Sequence, residues 1–91
     1  MLFEWNQDKA RQNFIKHGVS FEEASTVFND SLSLTIPDPL HSEDEERFIL
    51  LGYSEKNRLL VVIHTDRNDR IRIISARQAT KKEKSYYEEG L

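Results

Sequence analysis

The sequence predicts an α+β fold, in which a short N-terminal strand and two helices precede an antiparallel four-stranded meander and a C-terminal helix. Three observations carry this. Apolar residues first recur at helical spacing, alternate from Leu32 onward, and give way to a second helix signature after Thr80. Turn residues at 37–39, 55–57 and 68–69 leave only short connections between the alternating stretches, so neighbouring strands must run antiparallel. Ninety-one residues supply one modest core, so residues 1–91 are expected to form one domain.

Each element has its local reason. Phe3 and Trp5 flank Glu4 in a short alternating strand, and Asn6 offers a side-chain oxygen to the free N–H groups of a helix over residues 7–17. Gly18 is the left-handed terminator, with Lys16 and His17 suited to the negative end of the helix dipole. Ser20 and Glu23 read as a capping box, Val19 as a staple against Ala24. Phe21, Ala24, Val27 and Phe28 then line one helical face, which ends at Asn29 and Asp30. These aromatics are core residues by spacing. Leu32, Leu34 and Ile36 alternate as a strand until Pro37-Asp38-Pro39 turns the chain, and residues 39–46 form a polar loop. Strands follow at 47–53, 59–65 and 70–76. The unbroken run Leu59-Leu60-Val61-Val62-Ile63 marks the middle one as buried on both faces and central in the sheet. Thr80 and Glu83 form another capping box, and Gly90 closes the last helix. The helices are expected to cover one face of the sheet and leave the other for a ligand.

Composition narrows the function. The net charge of −3 argues against a generally basic nucleic-acid binder, yet it conceals an asymmetry. Residues 1–55 hold four Lys/Arg against eleven Asp/Glu, whereas residues 56–91 hold nine against five. No cysteine is present, which excludes disulfides, thiolate zinc sites and cysteine nucleophiles and fits a reducing compartment. Neither a signal-peptide core nor a membrane-length apolar run appears, so a soluble, cytoplasmic protein without membrane association is expected. His17, His41 and His64 lack metal-ligand spacing, and neither a metal nor another cofactor is expected. His41 beside Glu43 and Asp44 reads as plain loop before cation site.

The basic third carries the candidate chemistry. Arg47, Arg67, Arg72 and Arg77 recur around the hairpins with His64, Ser75, Lys81, Tyr86 and Tyr87. Guanidinium groups gathered at a sheet rim bind phosphate oxygens two at a time and stabilise added negative charge. RNA carries its own nucleophile, the 2′-hydroxyl, so a protein need only position the strand, assist proton transfer and neutralise charge. Strand alternation puts His64 with Leu60 and Val62, and Thr65 and Arg67 on the other face; it also puts Arg70 and Arg72 opposite Ser75 and Arg77. Structural readings stand beside these. Arg70 and Arg72 on an outer strand protect an edge against pairing, His64 is a satisfied core histidine or a general base, and at least one of Tyr86 and Tyr87 packs the helix. The acidic run 43–46 repels RNA near Arg47 unless it folds away.

Phe3-Glu4-Trp5, Lys9, Asn13, the segment Lys16-His17-Gly18-Val19-Ser20-Phe21-Glu22-Glu23-Ala24, Glu46-Arg47 and Arg72-Ile73-Ile74-Ser75-Ala76-Arg77 together resemble the BrnT family over nearly the whole chain. The resemblance implies a RelE-like fold and a metal-independent endoribonuclease toxin of a type II toxin–antitoxin system that blocks translation. It implies a BrnA-type antitoxin with a ribbon-helix-helix domain, through which alone operator DNA is bound. RNA is the implied substrate, with the ribosome as a further candidate partner. Carried onto matching positions, it favours Arg67 and Arg77 as a catalytic pair, with Lys16, His17 and Arg47 as supporting contacts. His64 joins the pair as candidate catalytic residue, and Arg72, Lys81 and Tyr86 join the RNA contacts. The alternative is a partner module that acts through the antitoxin complex and whose own cleavage is absent or needs the ribosome.

Overall fold

In the computed structural model, which describes residues 1–41 and 45–90, the chain forms a five-stranded sheet with helices on both faces. The elements in order are β1 (Leu2–Glu4), α1 (Gln7–His17), α2 (Phe21–Thr26), β2 (Leu34–Pro37), β3 (Arg47–Tyr53), β4 (Leu59–Arg67), β5 (Arg70–Gln78) and α3 (Lys81–Glu89). Single 3-10 turns follow α2 at Val27–Asn29 and β2 at Pro39–His41. Strand order is β1-β5-β4-β3-β2, with β4 central as its apolar run requires. The meander β2 to β5 is antiparallel. β1 adds a fifth strand, parallel to β5, so the arginines of β5 do not lie on an outer strand.

Most local signals act as their chemistry dictates. Asn6 Oδ1 accepts from the Lys9 N–H at 3.0 Å, and Gly18 takes φ 69° to end α1. The Thr80 capping box closes in both directions. At Ser20 it closes in one: the serine accepts from Glu23 N at 3.0 Å, but the Glu23 side chain turns away to Arg58 and Ser54. A buried carboxylate gains more from a guanidinium than from one backbone N–H. β2 starts at Leu34 rather than Leu32, because Asp30 Oδ1 accepts from Leu32 N and holds that stretch in a turn.

The two sheet faces have separate cores. On one, Val19, Phe21, Ala24 and Val27 pack on Leu50, Leu60, Val62, Ile73 and Ala76. Asn13 of α1 fastens this layer, donating to Ala76 O at 2.8 Å and Val19 O at 2.9 Å while accepting from Ala76 N. On the other face, Leu51, Leu59 and Val61 pack with Ala79 and Tyr87. The expectation that all helices cover one face is corrected here: α3 crosses to the second. Tyr87 takes it there, packing edge-on to Tyr53 with centroids 5.4 Å apart and donating its hydroxyl to Asp30 at 2.6 Å. α3 covers only the part of that face near Leu59. Among the described residues, no helix is long and apolar enough to cross a membrane.

Candidate nucleic-acid interface

The uncovered part of the α3 face holds the arginines, and an irregularity in β5 determines which ones. Ile63 pairs with Ser75 and His64 with Ile73, so Ile74 is an extra residue in the ladder. Strict alternation would put Arg72 opposite Arg77 in facing. The bulge reverses this, and Arg72 sits across from Thr65, which sits across from Arg47. A row of Arg47, Thr65, Arg72 and Glu4 therefore crosses four strands on one face. Arg67, at the end of β4, shares that face.

Carboxylates accompany these cations. Arg67 donates from Nε to Glu45 Oε2 at 3.1 Å and from Nη2 to Oε1 at 2.8 Å, and its Nη1 lies 3.9 Å from Glu4 Oε2. Arg72 donates from Nη1 to the same Glu4 oxygen at 3.0 Å, so edge protection does not describe it. The Arg67 hydrogen bonds hold the Glu45 carboxyl below its ordinary pKa and raise that of Arg67 in return. Between Arg47 and Arg72, Thr65 is fully buried, and its hydroxyl has no hydrogen-bond partner among the described residues.

Arg77 belongs to a different place. It lies opposite Val61, six residues before Arg67 along β4, so the two arginine backbones are about 20 Å apart at strand rise. Its guanidinium is closed on Glu83 of α3, with both bonds at 2.8 Å. That bond is the main reason the Glu83 carboxyl falls to about 2. The fold thus puts Arg67 and Arg77 on one face but does not bring them together.

His64 is on the opposite face. It is 4% exposed and sits between Phe28 and Phe48, with ring centroids at 4.9 and 5.5 Å. Burial lowers its pKa, against a smaller pull from Asp66, whose Oδ1 is 3.4 Å from Nδ1 without hydrogen-bond alignment. Lys16 and His17 lie at the far end of the molecule: the neighbouring Gly18 carbonyl accepts from Arg58 Nη2 at 3.1 Å, and Arg58 immediately precedes β4. That end is about 30 Å from Arg67 along the strand. Lys81 is exposed there, in a concavity shared with Asn57, Arg58 and Thr80. Tyr86 is 43% exposed and walls an apolar groove of about 270 Å³ with a floor of Leu34, Ile36, Ile49, Leu51 and Val61.

Of the residues singled out from the sequence, three converge: Arg47, Arg67 and Arg72. Sequence reasoning put Thr65 on the face of Arg67 without giving it a role, and missed the pairing of Glu4 and Glu45 with the arginines. The acidic run signalled only Glu45; Glu43 and Asp44 lie outside the described residues. Among the described residues, no group of His, Asp and Glu could hold a metal ion.

The family model of the BrnT ribonuclease toxin of type II toxin–antitoxin systems matches residues 5–83. The chain belongs to the BrnT family. The match takes in Arg47, Thr65, Arg67, Arg72 and Arg77, so every arginine considered above is part of the BrnT domain. The crystal structure of the Brucella abortus ribonuclease toxin BrnT is similar, with a TM-score of 0.69 at 19% identity, over 89% of this chain and 100% of that one. This likeness shows that the α+β architecture is the BrnT fold. No curated protein matches the sequence. BrnT membership makes the chain a toxin of the type II class, which entails an antitoxin partner and an RNA substrate.

Proposed function

We infer that this chain is a metal-independent endoribonuclease whose RNA lies across the open face of the sheet, and that a BrnA-type antitoxin restrains it. The reading is carried by the row Arg47–Thr65–Arg72, with Arg67 beside it on the same face. Guanidinium groups so arranged bind a phosphodiester through paired hydrogen bonds and stabilise the negative charge that builds on its non-bridging oxygens. The 2′-hydroxyl gives its proton to solvent as its oxygen attacks the adjacent phosphorus, the bond to the 5′-oxygen breaks as that oxygen takes a proton from solvent, and a 2′,3′-cyclic phosphate and a 5′-hydroxyl result. Arg67 is the main phosphate contact, with Arg47 and Arg72 as its flanks. Arg77, fixed to Glu83, anchors α3, and Tyr86 offers a ring face to a base. Translation stops because RNA is cut, and operator DNA is reached only through the antitoxin.

Cleavage of RNA by purified protein in EDTA tests this. Arg67→Ala combined with Arg72→Ala should abolish cleavage with an unchanged circular dichroism spectrum; full activity in that variant sinks the assignment.

One observation favours the second reading, a partner module whose cleavage is absent or requires the ribosome. The imidazole of His64 is enclosed by Phe28 and Phe48 on the face opposite the arginines, where it does not reach the proton to be moved. Expression of the chain alone separates the two readings. Arrest of growth together with cleavage of ribosome-free RNA by the purified chain supports the nuclease, whereas harmless expression of a folded chain, or arrest without that cleavage, supports the second reading.

A further inference from the structure

We propose that Glu45 is a built-in competitor for the phosphate group at Arg67. The inference rests on the reading of Arg67 as an RNA contact and adds a form of regulation to that site. A carboxylate presents two oxygens to a guanidinium much as a phosphodiester does, and Arg67 meets Glu45 in that two-pronged way, through Nε at 3.1 Å and Nη2 at 2.8 Å. Glu4 occupies the neighbouring positions, 3.0 Å from Arg72 and 3.9 Å from Arg67. Two oxyanions of the chain thus stand where an incoming backbone would put its own. The two are not equivalent. Glu4 is fixed by the β1–β5 ladder, through its pairing with Arg72. Glu45 lies outside the strands, two residues before β3 begins, and its side chain is 38% exposed. Glu45 can therefore leave without unpairing a strand, whereas Glu4 cannot. RNA binds at Arg67 by exchange, with a phosphate replacing the Glu45 carboxylate. The resting toxin accordingly holds RNA more weakly than its arginine count suggests.

The exchange has a signature beyond affinity. A guanidinium that leaves an internal ion pair for a phosphate displaces the cations condensed on that phosphate, but the carboxylate it sets free draws part of that positive charge back from the salt. With Glu45 neutralised, Arg67 starts from solvent, and the dependence of binding on salt approaches that of an ordinary phosphate contact.

The test uses the full chain and a 2′-O-methyl oligoribonucleotide, which cannot be cleaved, with binding followed by fluorescence anisotropy at several salt concentrations. Glu45→Gln should bind about two- to fivefold more tightly than wild type, the range expected for an exposed ion pair. The slope of log affinity against log salt should steepen by up to about 0.7. Glu46→Gln makes the same change in net charge on an exposed neighbour and should give neither the full gain nor the steeper slope. Glu45→Asp keeps the charge but shortens the reach, and should bind more tightly than wild type by a smaller factor. In an Arg67→Ala background, Glu45→Gln should do no more than Glu46→Gln. The proposal is overturned if Glu45→Gln matches Glu46→Gln in the wild-type background, or if its advantage persists without Arg67. Unchanged binding by Arg67→Ala alone would overturn the reading of Arg67 itself, an outcome distinct from loss of the Glu45 effect alone.

Discussion

Thr65 faces Arg72 directly across the β4–β5 ladder, with its hydroxyl buried and without a hydrogen-bond partner among the described residues. A polar atom kept in this state costs stability, and such costs gather at functional sites. Thr65→Val removes the hydroxyl and nearly keeps the shape. The variant should be more stable by about 1 kcal/mol, a rise in Tm of about 4–8 °C for a domain of this size. RNA binding should weaken in the same variant. A higher Tm with undiminished RNA binding would leave the hydroxyl without a role in recognition.

Arg67 and Arg77 should separate cleanly on mutation, because one faces solvent with Glu45 and the other ties α3 to the sheet through Glu83. Arg67→Ala is expected to lower RNA affinity strongly and Tm little, since exposed pairs contribute little stability. Arg77→Ala should lower Tm more than it lowers RNA affinity. Without Arg77 the Glu83 carboxyl, now at about 2, titrates closer to an ordinary glutamate. A depressed carboxylate contributes stability above its unfolded pKa, near 4.5, that is lost as pH falls toward about 2. Thermal melts across that window should therefore show a weaker acid dependence in Arg77→Ala.

The helices, their caps and the meander were legible because each has a local cause: Asn6 before α1, Gly18 after it, the Thr80 capping box, and turn residues at 68 and 69. The position of α3 was not, because it depends on Tyr87 meeting Tyr53 and Asp30, residues remote in sequence. Nor was the parallel addition of β1 legible, since a three-residue strand does not encode its partner. At the site, alternation sorted β4 correctly, with His64 on one face and Thr65 and Arg67 on the other. It failed in β5 at Ile74, where nothing in the run Arg72-Ile73-Ile74-Ser75 marks a bulge. The charge asymmetry was legible as a total. Its meaning was not, because Glu4, Glu23 and Glu45 from the acidic half fold onto Arg72, Arg58 and Arg67.

Glu23 and Arg58 form an ion pair that ties the helix layer to the turn before β4. Glu23 is 2% exposed and accepts from Ser54 Oγ at 2.7 Å and Arg58 Nε at 2.9 Å, while Arg58 also reaches Gly18. Arg58→Met should destabilise the chain by about 3 kcal/mol, because it leaves a carboxylate buried without its cation. Glu23→Gln with Arg58→Met should recover part of the loss. The Arg58 hydrogen bond is the largest influence holding the Glu23 carboxyl below its ordinary value. Its stabilisation is therefore present above the unfolded pKa and fades as pH falls through the lower folded one. Urea titrations at neutral and acid pH should show the single variant losing this acid dependence.

His64 should report acidification through stability rather than through catalysis. It is enclosed by Phe28 and Phe48, and burial lowers its pKa below the ordinary imidazole value of about 6.5. The unfolded chain then takes up a proton more readily than the folded one. Stability is full above the unfolded pKa and falls as pH drops below it, until the folded imidazole is protonated in turn. His64→Phe suits the aromatic surroundings and removes the titration. The variant should show a flatter Tm against pH below about 6.5, and it should retain RNA cleavage, because the ring lies on the face opposite Arg67. Loss of cleavage in a stable His64→Phe protein would return the imidazole to the chemistry and require RNA, or a moved β4, to bring the two faces together.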